Sequence, residues 1–207
     1  AVILTEGIVK DIVEGNPSKI VQVFVQSPLI WGIHVANDSK YTSINDLKGT
    51  KAAISRYGSG SHLMAYINAQ NNDWNLEEDL NFEVVKNLDG AVEGLVDGKA
   101  DYFMWEKFTT KPLVDNKTFR RIGECPTPWP CFVIAATDKI LEKHPEQIDL
   151  LLDLIQESCQ LFMNDDSVIP TVAKRYEQQM QDVERWYHST EWATNSWVSD
   201  KMLKSVI

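Results

Sequence analysis

Short runs of apolar residues alternate along this chain with amphipathic stretches, and that alternation restricts the fold more than any other feature. A strand covered on both faces reads as a continuous apolar run. The segment that carries the chain on to a parallel neighbour shows an apolar stripe at helical spacing. Ala1–Leu4, Ile20–Val25, Leu29–Val35, Lys51–Ile54, Phe82–Val85, Asp101–Met104, Arg120–Ile122 and Phe132–Ala135 predict strands. Ile8–Val13, Ser59–Gln70, Gly90–Val96 and Phe108–Val114 predict the helices among them. This order is that of an α/β fold with a largely parallel sheet.

Turn signals set the joints. Thr5-Glu6-Gly7 reads as the turn after the first strand, and Gly15-Asn16-Pro17 stops the helix that follows. Ser43 is suited to cap a short helical turn at Ile44–Leu47. Pro126, Pro128 and Pro130 interrupt the pattern before the last strand. The remainder is helical: Lys139–Glu142, then Pro145–Asn164 with Ile148, Leu151, Leu152, Ile155, Cys159 and Phe162 at helical spacing, then Val168–Tyr176, Gln181–His188 and Ser196–Ile207. Residues 37–123 thus form one lobe, and residues 1–36 and 124–207 read as two parts of another. Leu29–Val35 and Cys131–Ala136 are expected to cross between the lobes, and two crossovers make a hinge.

Composition narrows the function classes. A chain of 207 residues is long enough to give two small lobes their own cores. A formal charge of −10 argues against a nucleic-acid partner, which needs a basic stripe. No stretch approaches the roughly 20 apolar residues of a membrane span, so no membrane insertion is expected. Cys125, Cys131 and Cys159 match neither a zinc knuckle nor a CxxC motif, so neither a metal site nor a cofactor is expected. They read as buried thiols, with a Cys125–Cys131 disulfide as the alternative in an oxidising compartment. The chain opens inside a strand without an initiator Met, and Ser199–Ile207 reads as a helix stopped mid-turn, so a longer parent protein is expected.

In open α/β sheets ligands sit beyond the carboxyl ends of the strands. That rule selects Thr5 and Glu6 from the first lobe, and from the second the stretch Ser55 to His62, with Ser55, Ser59, Gly60, Ser61 and His62 as its chosen residues, and then Trp105 and Glu106; Trp129 in the Pro-rich return is a further candidate. The Tyr57–His62 loop leads into a helix whose first-turn N–H groups and dipole suit an anionic group. An ordinary N-cap by Ser59 or Ser61 explains the same residues. It is not a P-loop, because the Lys-Ser/Thr pair is missing. Trp105 offers a flat face for stacking and Glu106 an acceptor for amino groups; a core Trp beside an exposed Glu is the plainer alternative. Trp31 reads as a packing residue, as do Trp186, Trp192 and Trp197. His34 is expected to be buried and hydrogen-bonded, while His144 and His188 lie in helical, polar surroundings. Only His62 falls in the expected cleft, without a nucleophile or orienting partner beside it, so no catalytic constellation can be assembled.

Several motifs resemble one family in order and spacing. Asn45-Asp46-Leu47-Lys48-Gly49-Thr50-Lys51-Ala52-Ala53-Ile54 is similar to the opening of the second lobe in substrate-binding proteins for nitrate, taurine and alkanesulfonates. Ser59-Gly60-Ser61-His62 resembles their small-residue loop, and Leu95-Val96-Asp97-Gly98-Lys99-Ala100-Asp101 their turn from helix into strand. Trp105-Glu106 looks like the end of that strand, although Lys107 stands where proline is usual, and Thr5-Glu6-Gly7 resembles a loop of the first lobe. The same superfamily holds the pyrimidine-precursor proteins of thiamine biosynthesis. The resemblance implies a two-lobed fold of the type II periplasmic-binding-protein kind, lacking the first strand–helix–strand unit of lobe I. It implies a small-molecule ligand in the interlobe cleft, a thiamine-precursor-like pyrimidine or a small oxyanion or sulfonate. It further implies a membrane ABC transporter as partner where such a protein is exported. The expected location is periplasmic or exported in a bacterium and cytoplasmic in a eukaryote. Two alternatives stay open. A thiamine-pyrimidine enzyme of this superfamily would need a cysteine cluster that this chain lacks, and the effector-sensing domain of a regulator would carry a DNA-binding segment upstream.

Overall fold

The computed structural model describes residues 1–193 together with 195, 198, 199, 202, 204 and 206. The helix expected over Ser196–Ile207 falls largely outside the described residues, and Trp197 wholly outside them. The chain runs β1 (Val2–Leu4), α1 (Thr5–Val13), β2 (Ser18–Val25), β3 (Ile30–Ala36), a 3-10 turn at Ile44–Leu47, β4 (Lys51–Ile54), α2 (Gly60–Asn71), β5 (Asn81–Val84) and α3 (Leu88–Val96). It continues with β6 (Tyr102–Glu106), α4 (Lys111–Asp115), β7 (Phe119–Pro126), β8 (Phe132–Thr137), α5 (Asp138–Lys143), α6 (Pro145–Met163), α7 (Val168–Tyr176) and α8 (Met180–Ser189). These elements form two compact units, Ala1–Pro28 with Pro128–Ile207, and Leu29–Thr127.

The Leu29–Thr127 unit is built on a five-stranded sheet in the order β5-β4-β6-β3-β7. β4 is parallel to both β5 and β6, whereas β3 is antiparallel to β6 and β7. The parallel arrangement is therefore confined to three strands. Side chains alternate between faces with period two, which sorts β6 into two cores. Tyr102 and Met104 pack with Ile33, Val35, Leu47, Ala52 and with Met64, Ala65 and Ala69 of α2. Phe103 packs the other way with Ala53, Phe119 and with Ala91 and Leu95 of α3. Each large side chain so buried stabilises the unit by about 1.5–3 kcal/mol. Caps fix where the helices begin: Asn87 Oδ1 accepts from the Gly90 N–H at 2.9 Å, and Asp46 accepts from the Ser43 N–H at 2.9 Å.

The other unit has a three-stranded sheet, β1-β8-β2, with β8 antiparallel to both neighbours. Ile8 of α1 packs against Val23, Val133 and Ala135 from its strands. Phe24, Phe162, Trp186 and Trp192 meet edge to face, so Trp186 and Trp192 are packing residues as expected.

Several joints differ from the sequence reading. Thr5-Glu6-Gly7 is not a turn but the first turn of α1, which follows β1 with no residue between. The neighbouring strand makes this possible: Thr5 donates its N–H to Cys131 O at 3.2 Å and its hydroxyl to Pro130 O at 2.5 Å. Leu29–Val35 and Cys131–Ala136, expected as the connecting strands, are strands in the structure as β3 and β8, β3 lying between β6 and β7 and β8 between β1 and β2. Pro126 ends β7 instead of interrupting it, because β7 is an edge strand and proline there removes no ladder bond. The helix expected over Phe108–Val114 shrinks to α4, whereas Trp105 and Glu106 stand at the end of β6, as expected. Covalently, the chain passes between units at Pro28–Leu29 and returns at Thr127–Pro128. At that junction Thr127 donates its N–H to Leu29 O and receives the Leu29 N–H on its hydroxyl, both at 3.0 Å.

Candidate functional site

In the unit that contains α1, the structure brings Thr5, Glu6 and Trp129 together. Thr5 tethers the backbone of residues 130 and 131 to the amino end of α1. Beside it the Trp129 indole N–H donates to Glu6 Oε2 at 2.9 Å. Trp129 is 4% exposed, so its ring is a wall of this unit and not an open stacking face. Glu6 is 8% exposed and its Oε1 is buried without a hydrogen-bond partner. Burial raises the carboxyl above its ordinary range, while its own main-chain N–H and Trp129 pull the other way.

The second group lies at the carboxyl end of β4. Ser61 is its hub: Ser61 Oγ accepts the Ser55 N–H at 3.0 Å and lies 3.1 Å from Ser59 Oγ. Ser59 is the N-cap of α2; its hydroxyl donates to Arg56 O at 2.6 Å and receives the His62 N–H at 3.4 Å. These serines are thus occupied in shaping the loop. The first-turn N–H groups of Gly60 and Ser61 have no acceptor within the helix, as at any helix start. Gly58 makes the turn with φ +74°, a conformation that glycine adopts without strain, and its N–H donates to His62 Nδ1 at 3.1 Å. The His62 ring is therefore a neutral imidazole carrying its proton on Nε2. Burial lowers its pKa further. Tyr57, Tyr66 and Phe82 surround that ring edge to face at 5.2, 5.1 and 4.7 Å.

Tyr57 is 65% exposed and Arg56 is exposed next to it. The sequence reading placed both within the stretch from Ser55 to His62 that follows a strand, but gave neither a role of its own. Because β4 and β6 are parallel neighbours, their carboxyl ends open on one edge of this sheet. Trp105 stacks on Phe103 at 5.3 Å and meets Trp31 edge-on at 6.2 Å, leaving it half-buried. Trp31 is a core residue, as expected. The Glu106 carboxylate accepts from the Phe108 N–H at 2.9 Å and from Thr109, which ties it to the turn after β6. Glu106 is thus not an open acceptor.

One buried polar group in the same unit was legible only in part. His34 is fully buried, with Nδ1 3.3 Å from Phe103 O and Nε2 2.9 Å from Thr110 Oγ1, and Arg121 Nε donates to Nε2 at 3.4 Å. Burial first, and then the Arg121 charge, lower its pKa to about 4. Cys125, Cys131 and Cys159 are buried thiols, and burial pushes Cys125 up to about 11. Among the described residues no group of three or more His, Cys, Asp or Glu is placed to hold a metal ion. No described helix is long and apolar enough to cross a membrane.

A family model described as Ca3427-like PBP matches residues 31–125, nearly all of the unit that carries β3 to β7. No curated protein matches the chain. Three solved structures show its fold. One is the conserved Candida albicans CA3427 gene product, described as defining a new family with the generic periplasmic binding protein fold. It is similar with a TM-score of 0.84 at 25% identity, over 94% of this chain and 64% of that one. The alkanesulfonate-binding protein SsuA from Xanthomonas axonopodis pv. citri, bound to MOPS, gives 0.78 at 14% identity, over 99% and 71%. The periplasmic aliphatic sulphonate binding protein SsuA from Escherichia coli gives 0.71 at 18% identity, over 97% and 69%. The chain has the periplasmic-binding-protein fold, and it spans 64% of the length of the Candida albicans protein.

Proposed function

We propose that this chain is a solute-binding protein that takes up a small polar molecule reversibly and carries out no reaction on it. The observation that carries this reading is the carboxyl end of β4, on a fold whose solved relatives include named sulfonate-binding proteins. There the first turn of α2, the exposed Arg56 and the exposed Tyr57 ring gather beside one another. Backbone N–H groups and a guanidinium receive the acceptor atoms of a solute, whether oxyanion, sulfonate or ring carbonyl. A tyrosine ring covers a flat apolar body such as a pyrimidine. His62 does not supply a general base here, since its Nδ1 is already engaged by Gly58 and its basicity is lowered. Delivery of the solute to an ABC transporter belongs to the same proposal.

A thermal-shift screen of the chain against pyrimidines, alkanesulfonates, nitrate and carboxylates tests the reading. A ligand at 100 times its Kd stabilises by about 2.7 kcal/mol, which raises the melting temperature of a chain this size by roughly 5–10 °C. Arg56→Ala and Tyr57→Ala are expected to shrink that shift, each read against the unliganded melting temperature of the same variant, which Tyr57→Ala lowers by removing an edge-to-face contact with His62. A screen without any shift, or a shift that survives both substitutions, overturns it.

A further inference from the structure

Helix α6 is attached to its unit along one narrow stripe. Leu152 and Cys159 are buried, and Ile148, Ile155 and Phe162 beside them are half-buried. Gln156 donates a side-chain N–H to Gln22 Oε1 of β2 at 3.0 Å. A second stripe of the same helix is apolar as well, and it is open. Leu150 is 60% exposed, Leu151 49%, Leu154 51% and Leu161 68%. At 3.6 residues per turn these four leucines share an arc of about 100°, set beside the buried one. Single exposed leucines are ordinary on a protein surface. Four in one stripe along a helix of 19 residues form a contiguous patch, and such patches mark interaction surfaces.

Charge lines the far border of that stripe. Glu146, Asp149, Asp153 and Glu157, all exposed, occupy the next arc of about 80°. The helix carries no Lys or Arg, and exposed Asp165 and Asp166 follow it. Lys143, the basic residue closest in sequence, belongs to α5. This charge decides what can cover the leucines. A second copy of the chain would bring its own carboxylates to the contact, and an anionic bilayer its phosphates; like charges gathered there oppose association. A helix with an apolar face bordered by Lys or Arg satisfies both stripes at once, as the charged borders of a coiled-coil seam do.

We propose that the open face of α6 is a docking surface for a basic amphipathic helix of another protein. The apolar side of that helix covers Leu150, Leu151, Leu154 and Leu161, and its Lys or Arg residues meet Asp153 and Glu157. The leucines supply the affinity, and the exposed acidic border supplies orientation and a dependence on salt. The proposal needs neither a bound solute nor the site at the end of β4, so it stands apart from the solute-binding reading.

Fluorescence anisotropy of a labelled helical peptide tests this. The probe is built of leucine and lysine with the leucines on one helical face. One control peptide replaces every lysine by glutamate, and another scrambles the order so that no face is apolar. The expected result is binding of the ordered lysine peptide alone, weakening as salt is added. Leu154→Gln/Leu161→Gln weakens it at least about tenfold. Both positions are exposed and Gln is a good helix former, so that variant stays folded. Asp153→Lys/Glu157→Lys weakens the lysine peptide too and narrows its advantage over the glutamate peptide, which a merely structural role of α6 does not do. Equal binding of the lysine and glutamate peptides, binding that the leucine variant keeps, or no binding at all overturns the inference. A chain that sediments as a dimer until Leu154→Gln/Leu161→Gln makes it a monomer overturns it in favour of a second copy. Flotation with phosphatidylcholine vesicles through the same leucines, without peptide binding, overturns it in favour of a lipid surface. A longer form of the protein that covers the stripe with its own residues and no longer takes the peptide also overturns it.

Discussion

Glu106 accepts hydrogen bonds from both the main-chain N–H and the hydroxyl of Thr109, at 2.7 and 2.8 Å. With the Phe108 N–H on its other oxygen, the carboxylate satisfies two backbone donors that no strand or helix reaches. Glu106→Ala should therefore lower the unfolding free energy by about 1–2 kcal/mol in urea titrations, as loss of a cap does, with Glu106→Gln losing less. An alanine variant within experimental error of the parent would show that the turn holds itself.

His34 makes stability depend on pH. Its pKa is about 4 in the folded chain, against 6.5 for the unperturbed imidazole. Between those values the unfolded chain takes up a proton that the folded chain refuses, so stability is full above pH 6.5 and drains away as pH falls toward 4. The slope contributed is at most about 1.4 kcal/mol per pH unit. Other groups titrate in the same window, so the informative quantity is a difference. Stability of the parent chain minus that of His34→Gln, measured from pH 4 to 7.5, should rise with pH and flatten above 6.5. A difference without slope would place the imidazole in contact with water.

Much of this fold was legible because period and punctuation are written locally. Lys51–Ile54 is a strand with the bounds its residues predict, and the helix expected over Ser59–Gln70 begins one residue later, at a serine cap. The same signals failed where the chain enters α1. Leu4 gives no capping side chain, and Gly7 resembles a turn residue, so the bond from Thr5 to a strand more than a hundred residues away decides the matter. Candidate positions were found as strand ends; their commitments were not. That Trp129 turns inward to Glu6, that Glu106 closes its own turn, and that Arg121 reaches His34 are side-chain pairings that no spacing records. Arg56 and Tyr57 fell within the stretch from Ser55 to His62 but received no role, because the glycines and serines around them carry the stronger pattern.

Gly32 should be irreplaceable. A Cβ built there would sit 2.6 Å from His34 Cε1 and 2.8 Å from Nε2, and that ring is buried and fixed by its hydrogen bonds. Gly32→Ala forces the imidazole or the strand to move and should destabilise the chain by about 1–3 kcal/mol in chemical denaturation, as overpacking does. In the double variant Gly32→Ala/His34→Gly the clash with the ring is gone and only the flexible Arg121 side chain, with Nε at 3.0 Å, has to give way, so the two effects should fall clearly short of additive. Simple additivity would assign the loss to the backbone instead.

The thiols should be silent in the folded protein. At pH 8 a cysteine with a pKa near 11 is thiolate about once in a thousand molecules, and Cys125 is buried as well. Ellman's reagent is expected to label none of the three rapidly in buffer and all three at once in guanidinium. Fast labelling of Cys125 in buffer would contradict its burial.

Residues 29–127 form an uninterrupted stretch whose two ends are hydrogen-bonded to each other, whereas the sheet of the other unit is completed only by β8, its middle strand. During synthesis the ribosome therefore makes every strand of the inner segment before it makes the residues that β1 and β2 must pair with. The inner segment can close first, and β1 and β2 wait with their ladder partners missing through the making of about a hundred further residues, a delay that long-range pairing always imposes. Strand β8 is thus the last rung laid, and a chain cut before residue 132 would leave two orphan strands beside a finished neighbour.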